Sequence, residues 1–416
     1  MESSACSVLF RVFRFLLRSW IASLVLACAT AARAQGELSG QAAIEWRIFP
    51  QQAISSEQQR SYLSVAVQPE YHYKWDNDKQ SFTFAPFARL DHHDKERTHF
   101  DIRELTWLKA GDGWELRLGI RKVFWGVTES QHLVDIINQT DLVENLDGED
   151  KLGQPMVNLA LIRNWGTLDL FVLPGFRERK FPGGKGRLRT TLPVDSDRAV
   201  YESKRGRGRI DWAARWARTF GDWDVGLSHF HGTSREPRLL PGADSGGKPV
   251  LIPRYDIIHQ TGLDLQWTKG QWLWKLEAIR RTGQGGQARK GGRYTALTGG
   301  FEYTFSHFAG SRVDLGLISE YLYDERGEKA ATPFQDDIMV GARLALNDAQ
   351  SSEALFGVIV DRHTGASFLN LEASRRLGNR WKFSLESRGF AGVRRADPLF
   401  GLRRDSYLQL ELALYF

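Results

Sequence analysis

The last ten residues, Tyr407–Phe416, read YLQLELALYF and alternate strictly between two kinds of side chain. Leucine fills every second position from Leu408 to Leu414, and Gln409 and Glu411 lie in the phase between them. A period of two gives a strand with one apolar face and one polar face. About ten residues is also the length with which a tilted strand crosses the hydrocarbon core of a bilayer. The stretch therefore predicts a membrane-spanning strand that closes a barrel by pairing with the first strand.

The composition of the chain does not by itself identify a membrane protein. The 416 residues include 25% charged residues and carry a formal net charge of +6. Beyond residue 34, no run approaches the roughly 18 consecutive apolar residues that mark a spanning helix. Only alternate residues of a barrel strand face lipid, so such averages fit a barrel as well as a soluble protein. A soluble β-sandwich is therefore the alternative fold.

Residues 1–34 have the features of a secretory signal peptide. A region with three arginines precedes the apolar core Trp20–Ala32, and an A-x-A cleavage site ends at Ala34. Cleavage there leaves residues 35–416, with 52 basic and 49 acidic residues, as the barrel. Both cysteines lie in the leader, so we expect no disulfide in the mature chain. An uncleaved membrane anchor and a lipoprotein start at Cys28 are the alternatives.

The mature chain divides into alternating segments that short and long connections separate in turn. This order predicts an all-β fold, an antiparallel up-and-down transmembrane barrel of about 18 strands, with 16 as the alternative. Both termini would lie on the side of the short turns, and a barrel of this size encloses an aqueous lumen. The alternation slips its phase near Arg103-Glu104, which predicts a β-bulge there.

Tryptophan is concentrated beside the predicted short turns. Indole rings prefer the headgroup level of a bilayer, so this distribution predicts an aromatic girdle at that end of the barrel. The residues concerned are Trp75, Trp107, Trp114, Trp165, Trp223, Trp267, Trp272 and Trp381.

Three motifs between Arg103 and Leu159 resemble a pattern of Gram-negative outer-membrane porins. They are the pair Arg103-Glu104, the strand end Gly119–Gly126, and a D-x-x-N-x-x-D loop formed by Asp135, Asn138 and Asp141. The chain is similar to uncharacterised proteobacterial porin families and, more loosely, to alginate-export-type porins. It departs from these families in Ile120-Arg121-Lys122, where Arg-Gln is common, and in Asn138-Gln139, where Asn-Pro is common. The resemblance implies a location in the bacterial outer membrane and a loop that folds inward to narrow a pore.

The loop in question, residues 127–152, is called the inner loop below. It is longer than a simple connection between two strands. Its apolar segments Leu133-Val134 and Ile136-Ile137 need a surface to pack against. An acidic loop opposite a basic wall makes a charged constriction, a usual source of selectivity in channels. A solvated surface loop is the alternative, and a calcium loop at residues 145–150 fails the full spacing. The predicted constriction residues are Arg103, Glu104, Arg117, Arg121, Asp135, Asn138 and Asp141.

A second long segment, residues 176–209, contains eleven basic and four acidic residues and is called the basic loop below. A basic loop that dips into the mouth would concentrate anionic solutes. One that lies outside would bind lipopolysaccharide phosphates. Both possibilities stay open at this point. The predicted pore-mouth residues are Arg177, Arg179, Lys180, Lys185, Arg187 and Arg189.

Together these features predict a non-enzymatic channel for passive diffusion of small hydrophilic solutes, anionic or oligosaccharide-like. The alternatives are a plugged or structural barrel and a lipid-modifying hydrolase. The candidate histidine clusters are His92-His93-Asp94 and His229-x-His231, and the chain contains neither G-x-S-x-G nor H-E-x-x-H. We expect no metal, cofactor or nucleic-acid partner. The expected partners are outer-membrane lipid, lipopolysaccharide and the barrel-assembly machinery, which would bind the strand that ends at Phe416.

Overall fold

A computed structural model describes residues 36–285, 292–330 and 332–416. The predicted signal peptide lies outside these ranges. Eighteen strands form one closed antiparallel barrel, and three short strands form a separate small sheet. Within the described ranges, no helix is both long enough and apolar enough to cross a membrane.

The barrel strands follow one another around the wall in chain order. They are β1 (Gly36–Ile48), β2 (Ser61–Trp75), β3 (Gln80–Asp91), β4 (His99–Gly111), β5 (Trp114–Arg121), β6 (Gln154–Arg163), β7 (Gly166–Pro174), β9 (Ile210–Phe220), β10 (Trp223–Thr233), β13 (Ile257–Lys269), β14 (Trp272–Thr282), β15 (Tyr294–Phe305), β16 (Asp314–Asp324), β17 (Asp336–Ala345), β18 (Glu353–Asp361), β19 (Ser367–Leu377), β20 (Trp381–Ala391) and β21 (Tyr407–Tyr415). The small sheet contains β8 (Val200–Tyr201), β11 (Arg238–Ala243) and β12 (Pro249–Tyr255).

The last strand closes the barrel on the first, as predicted. In the pairing of β21 with β1, Leu412 lies opposite Ile44 and Glu411 lies opposite Glu45. The ladder continues to the final residue, because the Gly40 and Phe416 backbones bond each other at 3.0 and 3.1 Å. The count of 18 is therefore confirmed, and the alternative of 16 is excluded.

The alternation of side chains decides which face of each strand forms the inner wall. On β1, Ile44 and Trp46 are 45% and 46% exposed on the outside, whereas Glu45 and Arg47 are 2% and 6% exposed inside. The same arrangement recurs around the barrel, with Leu63 on β2 51% exposed on the outer face. An apolar exterior around a polar interior is the reverse of a soluble sandwich, whose apolar faces meet in a core.

The predicted bulge lies in β4. The register between β3 and β4 shifts because Glu104 pairs with Ala85 whereas Ile102 pairs with Pro86, which leaves Arg103 without an opposite residue. A bulge turns one side chain out of the regular alternation. Here the consequence is that Arg103 points into the barrel and is only 3% exposed.

The tryptophans lie beside the short turns, as predicted. Trp75 ends β2, and Trp114, Trp223 and Trp381 begin their strands. Neighbouring rings also touch, as with the stacked pair Trp223 and Trp267, whose centroids are 5.7 Å apart. These contacts form an aromatic band at the short-turn end of the barrel.

The small sheet is not part of the barrel predicted from the sequence, and its first strand, β8, lies within the basic loop. Strands β11 and β12 form a hairpin, and β8 pairs with β12 in parallel. Prolines at positions 241, 249 and 253 and Gly242 interrupt the hydrophobic pattern of this hairpin. Such residues normally mark turns or edges of sheets, so the alternation typical of a strand is missing.

Candidate functional site

The inner loop lies inside the barrel. Its residues Val134, Ile136 and Ile137 are at most 3% exposed. Burying each of these side chains fully stabilises the loop by about 1.5–3 kcal/mol. They pack on inward-facing residues of seven strands, which include Met156, Phe171, Leu173, Ala213, Phe230, Ile258, Ile279, Tyr294 and Ala296.

Two buried carboxylates on strands β14 and β16 hold the first part of the inner loop against their side of the barrel. Glu277 on β14 accepts hydrogen bonds from the backbone N–H groups of Val127, Thr128 and Val134 at 2.7, 3.1 and 3.0 Å. Glu320 on β16 accepts from the N–H of Glu129 at 2.8 Å. Backbone donors of an irregular segment must find partners when they are buried. The two glutamates supply those partners, and inward-facing acidic residues are therefore part of the loop's anchorage.

Arginines of the opposite wall hold the last part of the loop. The bulge residue Arg103 donates to a carboxylate oxygen of Asp141 at 2.7 Å and to the Lys151 carbonyl at 2.8 Å. Arg89 on β3 donates to both carboxylate oxygens of Glu144 at 2.9 Å. The loop is thus fixed to both sides of the lumen and crosses it.

Four of the seven residues that the sequence placed in the constriction help to hold the loop in position. Arg103 and Asp141 bond each other, and Asp135 pairs with Lys151 within the loop at 2.9 Å. Asn138 is 2% exposed. Its amide nitrogen donates to the carbonyls of Arg121 and Leu152, both at 2.9 Å.

The remaining predicted residues stay on their own wall. Arg117 and Arg121 both donate to the side-chain oxygen of Asn158 on β6, at 3.2 and 2.8 Å. Arg117 also pairs with Glu115 on its own strand, and Glu104 lies beside the bulge on β4. None of the seven predicted constriction residues lines the cavities described next.

Three adjoining cavities run along the opposite side of the inner loop. The mouth vestibule, of about 780 Å³, lies among the long loops. The constriction, of about 280 Å³, lies between the inner loop and strands β17–β20. The inner chamber, of about 520 Å³, lies towards the short turns. Leu146, Pro333 and Leu402 line both of the first two cavities, and Glu129, Glu149, Leu355 and Glu372 line both of the last two.

One face of the constriction is the inner loop, and the other is the wall. His132, Leu146 and Asp147 come from the loop, while Gly357 on β18 and Asn370 on β19 come from the wall. Gly357 has no side chain to fill this space. A Cβ atom built there would meet only the flexible end of Met339 at 3.2 Å and a backbone oxygen at 3.9 Å.

A single buried arginine ties the wall to the loop at the constriction. Arg388 on β20 is 1% exposed. Its guanidinium lies 2.9 Å from carboxylate oxygens of Asp147 and Glu372 and 3.5 Å from one of Glu386. Because one cation faces three carboxylates, this group of side chains has a net negative charge.

The loop carries a histidine that is charged at neutral pH. His132 lies 3.7 Å from a Glu149 oxygen and 3.8 Å from a Glu277 oxygen. Burial lowers the pKa of His132, but these two carboxylates outweigh burial and raise the pKa to about 9. The imidazolium therefore offsets one negative charge at the constriction.

The charge of the lining changes sign along the three cavities. Nine carboxylates and three cations line the inner chamber, whereas one carboxylate and five cations line the mouth vestibule. The chamber carboxylates are Glu45, Glu129, Glu144, Glu149, Asp150, Glu353, Glu372, Glu386 and Glu411, and its cations are Arg89, Arg343 and Lys382. The vestibule cations are Arg179, Arg189, Arg238, Arg326 and Lys329.

The basic loop crosses the mouth of the barrel. It leaves the wall after β7 and reaches the opposite side, where Leu188 packs with Phe49 and Tyr407. Arg187 is buried there and bonds Asp405 at 2.7 Å. The basic loop therefore lies across the mouth of the barrel, with Arg187 and Leu188 buried against the wall.

Most of the predicted pore-mouth cations are engaged in this position. Arg177 pairs with Asp101 at 2.7 Å, and Arg179 donates to the Gln139 side chain at 3.1 Å. Arg189 bonds the carbonyls of the next two residues, and the backbone of Lys180 forms a bridge to Asp141. Lys185 is exposed. Arg179 and Arg189 alone among the six line the vestibule.

The histidine clusters hold structural contacts. Asp94 accepts hydrogen bonds from the N–H groups of Glu96 and Gly183, so it joins a neighbouring loop to the basic loop. His229 and His231 alternate with buried residues on β10 and face the outside of the barrel. His229 shares a hydrogen bond of 3.0 Å with Thr261 on the adjacent strand.

No protein-family model and no curated protein matches this sequence. Similar solved structures include an engineered protein described by its asymmetric conductivity, with a TM-score of 0.44 and 9% identity. Two mutants of the Rhodopseudomonas blastica porin have TM-scores of 0.43 and 0.42 and 10% identity. Each comparison covers 92% of this chain and 100% of the other. Likeness at this level does not assign a function.

Proposed function

We propose that this chain is a porin-like channel of the bacterial outer membrane, through which small hydrophilic solutes diffuse passively. The observation that carries the proposal is the row of three adjoining cavities inside a closed 18-stranded wall. The wall is apolar outside and polar inside, which is the arrangement that a lipid bilayer around an aqueous lumen requires. The predicted signal peptide and the aromatic band agree with this location.

The inner loop is the element that narrows the channel in this proposal. The narrow part lies on the face of the loop that Leu146 and Asp147 share with β17–β20. The Arg103–Asp141 attachment on the other face fixes the position of the loop and does not line the passage. In this proposal the constriction lies across the lumen from the residues that the sequence suggested.

A preference for anionic or oligosaccharide-like solutes, which the sequence led us to expect, is one of two alternatives for the selectivity of this channel. Its support is the basic lining of the mouth vestibule, where solutes would first enter. Lipopolysaccharide at the exposed part of the basic loop and an assembly machinery at the Phe416 strand are the partners that go with an outer-membrane location.

A plugged barrel is the second candidate, and one observation favours it. The inner loop bonds both sides of the lumen, from Glu277 and Glu320 to Arg89 and Arg103. A loop fixed in this way blocks part of the cross-section. The porin proposal and the plugged barrel differ in whether ions pass through the remaining space.

Single-channel recording separates these two candidates. The refolded protein is inserted into a planar bilayer in 1 M KCl, and the current is measured at fixed voltage. Steady, uniform steps of conductance support the channel. Inserted protein that gives no steps, with insertion verified by protease protection, would show that the barrel is plugged.

A further inference from the structure

In the part of the chain that the structure describes, three carboxylates of the inner chamber form no ion pair. Among the residues that the structure describes, Asp150, Glu353 and Glu411 have no basic side chain within 4.0 Å, whereas Glu45 and Glu144 are paired with arginines. The three unbalanced groups come from the inner loop, from β18 and from β21, so they surround the chamber from different sides. Their charge acts on the water-filled space.

The constriction adds to this negative charge. Asp147 and Glu372 line it together with Glu149, and Arg388 and His132 supply the positive charges. Arg388 already faces Asp147, Glu372 and Glu386 at once. A solute that passes from the constriction into the chamber therefore moves along a surface with an excess of carboxylates.

We propose that the passage selects cations, and that Asp150, Glu353 and Glu411 of the inner chamber determine this specificity. The inference rests on the proposed channel function. It assigns the preferred solutes to small positively charged molecules, inorganic cations and amine-bearing organic cations, and so departs from the preference for anions suggested by the basic loop.

The charges of the inner chamber should affect ion selectivity more than those of the mouth vestibule, for two physical reasons. The vestibule is the larger space, and two of its cations are paired with carboxylates, since Arg238 bonds Asp256 and Arg326 bonds Asp324, both at 2.6 Å. In the narrower part, a permeating ion passes well within the Debye length of about 8 Å at physiological salt. Charges there act on every ion that passes.

The test is the reversal potential of the open channel under a tenfold KCl gradient. We expect K⁺ to permeate about ten times more readily than Cl⁻, because two or three unscreened charges at close range produce an effect of this order. The triple variant Asp150→Asn, Glu353→Gln, Glu411→Gln should lower this ratio at least about threefold. Arginine chloride in place of KCl on one side should still carry cation current in the unchanged protein.

The control neutralises the same number of carboxylates at the same end of the barrel but outside the lumen. Asp78, Asp112 and Asp222 are exposed in short turns, and their replacement by asparagine should leave the ratio unchanged. An open channel that prefers Cl⁻, or whose K⁺ preference survives the chamber variant, would overturn this inference and leave the channel function intact. Absence of conductance would instead remove the channel function.

The cation preference should also weaken as the pH is lowered. The reason is that two carboxylates of the inner loop, Asp150 and Asp147, titrate near neutral pH. Burial raises the pKa of Asp150 to about 6, and the nearby Glu144 and Asp141 add to this effect against Arg103 and Lys122. A raised pKa means that the group loses its charge as the pH falls through that value.

The same holds for the second carboxylate. Burial raises the pKa of Asp147 to about 7 despite Arg388, and Asp150 and Glu386 act in the same direction as burial. Between pH 8 and pH 5 the passage thus loses up to two negative charges, and the K⁺ to Cl⁻ ratio should fall about twofold to threefold. The double variant Asp147→Asn, Asp150→Asn should show a much smaller change over this range. An equally steep change in that variant would assign the pH effect to other groups.

Discussion

Replacing Gly357 by tryptophan should reduce the single-channel conductance at least about fivefold. Gly357 faces the constriction, whose volume is about 280 Å³, and has no side chain there, so a bulky indole ring would occupy part of this space. The nearest side-chain atom to the new Cβ is the flexible end of Met339. The side chain can therefore be accommodated by entering the open space, where it narrows the passage. The measurement is the step size in planar bilayers.

The neighbouring residue supplies a control of equal size. Val358 faces the outside of the same strand, so Val358→Trp adds the same ring to the lipid side and should leave the conductance unchanged. Circular dichroism and the gel shift of the folded barrel show whether each variant has formed the barrel. Wild-type conductance in folded Gly357→Trp would move the ion path away from the wall of β17–β20.

Arg103→Ala should release the last part of the inner loop. The substitution removes the guanidinium that pairs with the Asp141 carboxylate, which is 0% exposed, and leaves His99 Nε2 as its neighbour at 3.4 Å. Breaking a buried ion pair in this way costs roughly 3–5 kcal/mol. The backbone bonds from Asp141 to Asp150 and from Leu152 to Gln139 close this part of the loop. We expect the amides of Asp141 and Leu152 to exchange hydrogen more than about 100-fold faster.

Arg117→Ala provides the comparison on the same wall. Arg117 pairs with the partly exposed Glu115, and pairs of this kind contribute about 0–1 kcal/mol. Exchange in the inner loop should therefore remain near the wild-type rate in this variant. Unchanged protection in Arg103→Ala as well would mean that the apolar anchor around Val134 holds the loop without the ion pair.

The barrel could be predicted from sequence because its information is local. Each strand shows its own alternation, and each short turn has the residues that a tight turn needs, such as Gly221 and Gly270 with φ of +58° and +60°. The phase slip at Arg103 likewise showed the bulge within a single strand. The small sheet escaped prediction because prolines and glycine hide the alternation of β11 and β12.

The site was predictable only in part, because it depends on contacts between distant segments. The pairing of Arg103 with the acidic loop followed from one motif, but the face of the loop that stays open did not. Two sets of contacts determine which face of the loop stays open. Val134 and Ile137 pack on one side of the barrel, and Arg388 bonds Asp147, which lies 241 residues away in the sequence. Glu386 and Arg388 share the polar phase of the alternating segment Trp381–Ala391. The sequence carried no signal that they belong to the constriction.

The seam between β1 and β21 has a consequence for the order of folding. Arg47 on β1 bonds Gln409 on β21 across 362 residues of chain, so the contact that seals the wall is among the most distant in the molecule. Contacts at such separation carry a large loop-closure cost and form slowly. Until the last strand pairs with the first, the first strand has one edge with unpaired backbone groups, which attract other chains. The chain is therefore prone to aggregation until the barrel closes.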